Sequence, residues 1–275
     1  MKYLILLLIL TLLITGVCDQ PRKFKILSVC ADLEDVVFTH LLEKYLQNNS
    51  VNLEVEILYI GSDYGGSEAE RAKLLDIWFL RKYDQIWIFD LNTIWSTGGR
   101  LKKDELNILE KYVSEGHVLV LGYNTFILSW SSKLEKLMGV KVTNFISGEN
   151  YSGSYDIFYG SRVYKYNESY GVAFLYLQQA KVIAEFRSGD PAATISYHGN
   201  GLVVVLAFNP VREAIEDKNY KVCELCSLIL FEKVFKNHPK PQPPSFYEIF
   251  ITSENDIIFR SDCQWVGKGE YRWLY

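Results

Sequence analysis

Up to about residue 150 the chain alternates short apolar runs with amphipathic stretches. Strand-like runs fall at 25–30, 53–60, 84–90 and 117–121. Between them, apolar residues recur at helical spacing over 36–46, 67–82, 103–114 and 126–138. Ser67 has the chemistry of an N-cap, and Glu70 stands where it would complete a capping box. Short strands separated by helices imply right-handed crossovers and a mostly parallel sheet. In such open sheets ligands sit beyond the carboxyl ends of the strands, which directs attention to 31–34, 61–66, 91–100 and 122–126.

The rhythm then changes. Six strand-like runs follow at 155–159, 163–166, 172–177, 182–186, 193–197 and 202–208, punctuated by glycines. His198-Gly199-Asn200-Gly201 reads as a hairpin turn. The continuous apolar run at 202–207 reads as a buried strand returning to the parallel sheet, and 220–236 as a closing helix. Pro239-Lys240-Pro241-Gln242-Pro243-Pro244 is a stiff, extended linker. The expected fold is therefore α/β: a mostly parallel sheet flanked by helices, with a β-rich second half and a short C-terminal β tail. The boundaries are 1–18 for an N-terminal segment, 22–237 for the α/β domain, 238–245 for the linker and 246–275 for the tail, with two or three strands.

Residues 3–18 carry no charge, behind Lys2 and ahead of Asp19. The apolar centre has the length of a signal-peptide core and is short for a bilayer span of about 20 residues. A cleaved signal, an uncleaved anchor and a lipid on Cys18 stay open; each places the rest of the chain outside the cytoplasm, secreted or membrane-anchored. Sequons at Asn48, Asn150 and Asn167 lean the same way. Composition changes little: 29 Lys+Arg against 33 Asp+Glu among 275 residues, net charge −4, gives no footprint for nucleic acid. Without Cys18, Cys30, Cys223, Cys226 and Cys263 remain, enough for two bridges in three possible pairings, with Cys223 and Cys226 read as core thiols or with one bridge to Cys30 or Cys263. Cys223 and Cys226 lie inside an apolar helical run, which fits neither a redox motif nor zinc.

Tyr83-Asp84-Gln85-Ile86-Trp87-Ile88-Phe89, the helix after it, Val118-Leu119-Val120-Leu121-Gly122 and the late hairpin resemble the class I glutamine amidotransferase-like superfamily, flavodoxin-like in its α/β order, over roughly 24–236. The resemblance implies a nucleophile elbow, Gly-x-Cys-x-Gly, and a general base in His-Pro-Glu. The matching segments are Gly122-Tyr123-Asn124-Thr125-Phe126 and Asn209-Pro210-Val211. Asn124 stands for the cysteine, Asn209 for the histidine and Val211 for the glutamate. An amide is no nucleophile, so the resemblance implies a fold without its glutaminase chemistry and without a cofactor.

The four histidines are too scattered to ligate a metal together, and no metal site is assigned. Aromatic and polar residues mark a candidate binding cleft at the strand ends: Asp32, Asp63, Tyr64, Asn92, Trp95, Thr97, Tyr123, Asn124, Thr125 and Asn209. Such surfaces suit a sugar or a peptide segment. The expected function is non-catalytic binding of a carbohydrate or protein partner at the cell surface, with no nucleic-acid partner and with membrane contact through the N-terminal segment if it is retained. The rival is an extracytoplasmic hydrolase acting on sugars or peptides through a carboxylate or metal site in the same cleft, with Asp32, Asp63 or Asp90 meeting Asn124 and Asn209.

Overall fold

The computed structural model describes residues 23–61, 67–91, 100–146, 154–167, 170–235, 248–251, 257–260, 263–267 and 270–273, and every structural statement concerns these. The N-terminal segment, the linker, and the sequon at Asn150 lie outside them. No described helix is long and apolar enough to cross a membrane.

Strands β1 (Phe24–Cys30), β2 (Leu53–Tyr59), β3 (Gln85–Ile88) and β4 (Val118–Leu121) build the parallel half. They are joined by helices α1 (Leu33–Asn48), α2 (Glu68–Ala72), α3 (Ile77–Leu80) and α4 (Lys103–Ser114). Then come α5 (Tyr123–Leu128), α6 (Ser132–Met138), β5 (Val140–Ile146), β6 (Ser154–Tyr159), β7 (Arg162–Asn167), β8 (Val172–Leu177), β9 (Lys181–Phe186), β10 (Pro191–His198) and β11 (Gly201–Leu206). Helices α7 (Pro210–Ile215) and α8 (Lys221–Leu230) close the α/β part.

Nine strands form one sheet in the order β2-β1-β3-β4-β11-β10-β9-β6-β7. The first four pairings are parallel and the last four antiparallel. The sheet is thus mixed, which corrects the mostly parallel expectation: tight turns between β6 and β7, and between β9 and β10, fold the second half back on itself. The return of β11 to the parallel half, beside β4, is as expected. Its hairpin partner β10 turns through Gly199 at φ 61°, where a two-residue turn favours glycine. Strands β5 and β8 form a separate two-stranded sheet, and β5 had no counterpart in the sequence reading.

Helices cover both faces. Ser28 on β1 meets Thr39 on α1 at 2.8 Å. Following the register from Ser28 through Trp87, Val120 and Val204 reaches Ile195, the neighbour of Ser196. Ser196 therefore points to the opposite face, where its hydroxyl donates to the Leu137 carbonyl of α6 at 3.3 Å. Strands β3, β4 and β11 are buried at every position, which is why, apart from Gln85, they read as apolar runs.

Two long helices of the sequence reading are interrupted. Asp76 accepts from the Trp78 and Phe79 amides and starts α3 afresh inside the 67–82 run. Ser131 does the same for α6 by accepting from the Leu134 amide, and the preceding α5 begins at Tyr123 rather than Phe126. Ser67 does cap α2, but the Glu70 carboxylate faces Lys73 Nζ at 2.6 Å. The apolar helix expected over 220–236 is α8 followed by a wider π-helical turn, Phe231–Phe235. Cys30, Cys223 and Cys226 are buried free thiols, so the core-cysteine alternative holds for these three. The tail holds four short strands in two hairpins, β12 (Glu248–Ile251) with β13 (Ile257–Arg260) and β14 (Cys263–Gly267) with β15 (Glu270–Trp273).

Candidate functional site

The carboxyl ends of β1, β3, β4 and β11, neighbours in the sheet, meet at one place. The order β2-β1-β3 makes the gap between β1 and β3 the switch point, because the chain leaves β1 for one side and later returns on the other. Backbones are crowded there. A Cβ on Gly61, after β2, would lie 1.7 Å from the Ala31 carbonyl oxygen, and one on Gly122, after β4, would lie 2.1 Å from that of Phe89. Only glycine permits such approach.

Asp90, just past β3, is 2% exposed. Asn124 Nδ2, in the first turn of α5, donates to both of its oxygens, at 2.8 and 2.9 Å. Asn209 Nδ2, just past β11, donates to Oδ2 at 2.9 Å. Asn209 Oδ1 caps α7 by accepting from the Val211 and Arg212 amides at 3.1 and 3.2 Å. Its own amide donates to the Tyr166 hydroxyl at 3.0 Å, and that hydroxyl donates to the Gly171 carbonyl at 2.6 Å. Burial pushes the Asp90 carboxyl up to about 6, while the two asparagine amides and the Arg212 charge favour its ionised form.

Asp32 caps α1, accepting from the Asp35 amide at 3.0 Å, and is half-buried. Asp35 is the residue that sequence reasoning missed. It is 2% exposed, its Oδ2 accepts from the Ala31 amide at 2.8 Å, and its Oδ1 has no hydrogen-bond partner. Burial, then the charges of Asp90 and Asp32, raise its carboxyl well above the usual aspartate value.

Of the expected cleft residues, the structure brings Asn124 and Asn209 together on Asp90, with Asp32 close by. Tyr123 and Thr125 are not cleft walls: both are buried, and the Tyr123 hydroxyl donates to the Ile146 carbonyl at 3.1 Å. Asn209 too is fully buried. Asp63, Tyr64, Asn92, Trp95 and Thr97 lie outside the described residues. Among those described, no three His, Cys, Asp or Glu side chains are placed to hold a metal ion together. Cys30 is the inert strand cysteine expected, its thiol raised far above the ordinary value by burial. His117 is buried, stacked on Tyr112 with centroids 4.2 Å apart and bonded through Nδ1 to the Tyr83 carbonyl at 2.9 Å.

No family model matches the chain, and no curated protein matches it by sequence. Solved structures share the fold. An exo-β-1,4-mannosidase from Opitutaceae bacterium strain TAV5 aligns at TM-score 0.53 and 13% identity, over 76% of this chain and 36% of that one. β-Galactosidases from Bacillus circulans sp. alkalophilus and Rahnella sp. R3 align at TM-scores 0.50 and 0.51, with 15% and 12% identity, over 82% of this chain and 33% of theirs. The chain thus spans about a third of the length of these enzymes. At such identities the likeness carries the fold alone: an open α/β sheet, mixed in direction and flanked by helices.

Proposed function

We propose that the chain is a non-catalytic, amidotransferase-like domain that binds a carbohydrate or protein partner outside the cytoplasm. One observation carries the non-catalytic part. The residues that the resemblance puts in place of nucleophile and base, Asn124 and Asn209, are amides bonded to one buried carboxylate. A carboxamide is neither a nucleophile nor a general base. Binding is supported by the aromatic and polar residues in the segments that the chain enters from β2 and β3, with Tyr64, Trp95 and Asn92 as the side chains of choice. A hydrolase using the same carboxylates is the weaker reading, because Asp90 is buried and already accepts three hydrogen bonds.

A thermal-shift screen of residues 20–275 tests this, with simple sugars, cell-wall fragments, divalent metals and nucleotides. A ligand at about 100 times its dissociation constant adds about 2.7 kcal/mol, a readily measured shift. The expected result is a shift with sugars that disappears in Trp95→Ala, or, for a protein partner, no small-molecule shift at all. A metal-dependent shift with hydrolysis of a sugar or peptide, or glutaminase activity lost on changing Asn124, would overturn the reading.

A further inference from the structure

Strand β2 closes one end of the nine-stranded sheet, and half of its backbone faces away from that sheet. The Phe24 amide donates to the Asn52 carbonyl at 2.8 Å, and the Ile60 amide to the Cys30 carbonyl at 2.9 Å. In a parallel ladder both backbone groups of a residue point to one side, and the side alternates along the strand. Asn52, Glu54, Glu56, Leu58 and Ile60 therefore face β1, and Leu53, Val55 and Ile57 turn their N–H and C=O groups outward. Among the described residues no hydrogen-bond partner meets those outward groups. An open edge is a template for another strand. This one is acidic: Glu54 and Glu56 are exposed, and the cation beside Glu54 is Lys23, itself exposed, at 3.3 Å.

The chain leaves the α/β part close to that edge. The Phe235 and Phe24 rings meet edge-on at 4.8 Å, and Phe24 stands beside Leu53, the first residue of β2. The segment 236–247 then leads to β12. It carries Lys236, His238 and Lys240 and no Asp or Glu. Pro239, Pro241 and Pro243 recur at every second position, which is the period of a strand. Proline lacks an N–H, so a strand accepts it where that group would face solvent. With these three turned outward, His238, Lys240 and Gln242 turn inward, each with an N–H to donate.

We propose that residues 238–243 add to the edge of β2 as a parallel strand, with Pro239 opposite Leu53, Pro241 opposite Val55 and Pro243 opposite Ile57. In this register the Val55 amide donates to the Lys240 carbonyl, and the Val55 carbonyl accepts from the Gln242 amide. The Ile57 amide donates to the Gln242 carbonyl. Lys240 lies beside Glu54, and Gln242 beside Glu56. The four residues from Phe235 to Pro239 reach about 13 Å, which exceeds the two strand spacings, about 10 Å, between β1 and the added strand. Pro244 falls on an inward position without an N–H and ends the ladder. The outward prolines blunt the new edge. A second copy of β2 fits less well, because an antiparallel pairing centred on Val55 sets Glu54 opposite Glu56. Running parallel to β2, the segment carries the chain from the amino ends of the strands to their carboxyl ends. The tail therefore starts on the side of the sheet where Asp90, Asn124 and Asn209 gather.

Hydrogen exchange read by NMR on the full chain tests the pairing. The Val55 and Ile57 amides should exchange slowly in the wild type. Gln242→Pro, which removes an inward N–H, should speed both by about tenfold, the worth of one hydrogen bond. Pro241→Ala, on the outward side, should leave them unchanged. The double variant Glu54→Cys/Lys240→Cys, mildly oxidised, should form a disulfide within one chain, identified by peptide mass spectrometry. Freely exchanging Val55 and Ile57 amides in the wild type, or protection that survives Gln242→Pro, would overturn the proposal. So would the absence of that disulfide, or its formation between two chains, which would give the edge to a second copy.

Discussion

Replacing Asn209 by alanine separates a polar knot from ordinary packing at the strand ends. The side chain is fully buried and does two things: it caps α7 and it donates to Asp90. Loss of an N-cap costs about 1 kcal/mol. Loss of a hydrogen bond to a charged, buried acceptor costs about 1.5–3 kcal/mol. Together these predict about 3 kcal/mol, or roughly 10 °C in melting temperature for a chain of this size. Asn124→Ala removes two bonds to the same carboxylate, but Asn124 is half-buried, so water can replace its amide; about 1 kcal/mol is expected. Asn209→Asp keeps the cap and points a second carboxylate at Asp90, so it should be worse than alanine at pH 7.5 and recover as pH falls. Urea unfolding of the three variants at two pH values decides the matter. A cost below about 1 kcal/mol for N209A, or a larger cost for N124A, would refute the reasoning, because the burial of Asn209 and its cap would then not set the energetics.

Other expectations follow from the same structure. Arg71 meets Glu105 through Nε at 2.6 Å and Nη2 at 2.9 Å, with both side chains buried, tying α2 to α4. Arg71→Ala should cost about 3–5 kcal/mol in chemical denaturation, and the double variant Arg71→Met/Glu105→Leu should recover most of it. His117 is neutral and buried, with its folded value near 4 against 6.5 unfolded, so between pH 7 and pH 5 the wild type should lose roughly 2 kcal/mol more than His117→Phe, read from urea midpoints. Secreted from a eukaryotic cell with its N-terminal segment intact, the chain should carry glycan on Asn48, which is exposed at the end of α1. It should carry none on Asn167, whose Nδ2 is bonded to Asp217 Oδ2 at 3.1 Å; peptide mass spectrometry that found the chain inside the cell with Met1 retained would refute export.

The parallel half was legible because its central strands are buried on both faces, so Gln85–Ile88, Val118–Leu121 and Gly201–Leu206 read as short apolar blocks bounded by turns. Pairing direction was less legible: β9 and β6 carry the same residue types whichever way they run, and the turns that reverse them are local. The interruption at Asp76 was present in the sequence as an aspartate two and three residues before amides it accepts from, but the apolar periodicity on either side masked it. Helix α7 was signalled by Asn209 followed by Pro210, an N-cap with proline at the first helical position. The site itself needed the closed fold. Asn209 and Asp90 are 119 residues apart in the chain, and Asp35 reads only as an acidic residue in the first turn of a helix until its carboxylate is seen to accept from the Ala31 amide at the end of β1. Tyr123 went the other way: on the sequence it reads as an aromatic on a loop, yet α5 begins with it and turns its ring against Gly171, which keeps φ 117° and leaves no room for a Cβ.

Asn124, Asp90 and Asn209 also bear on why the strand ends stay together. In the proposed reading, the elbow position and the base position come from different strands and need a reason to converge. A cysteine and histidine would form a contact that chemistry requires to remain free for a substrate. The bonds seen here are charge-assisted: Asp90 accepts two from Asn124 Nδ2 and one from Asn209 Nδ2. That arrangement holds β3, β4 and β11 at a fixed spacing, and it does so only while Asp90 is an acceptor. A working hydrolase would need one of these carboxylates brought to water, at the expense of the bonds that position α5 and α7. The polar knot and an exposed catalytic carboxylate are therefore competing uses of one residue, and the geometry of Asp90 favours the knot.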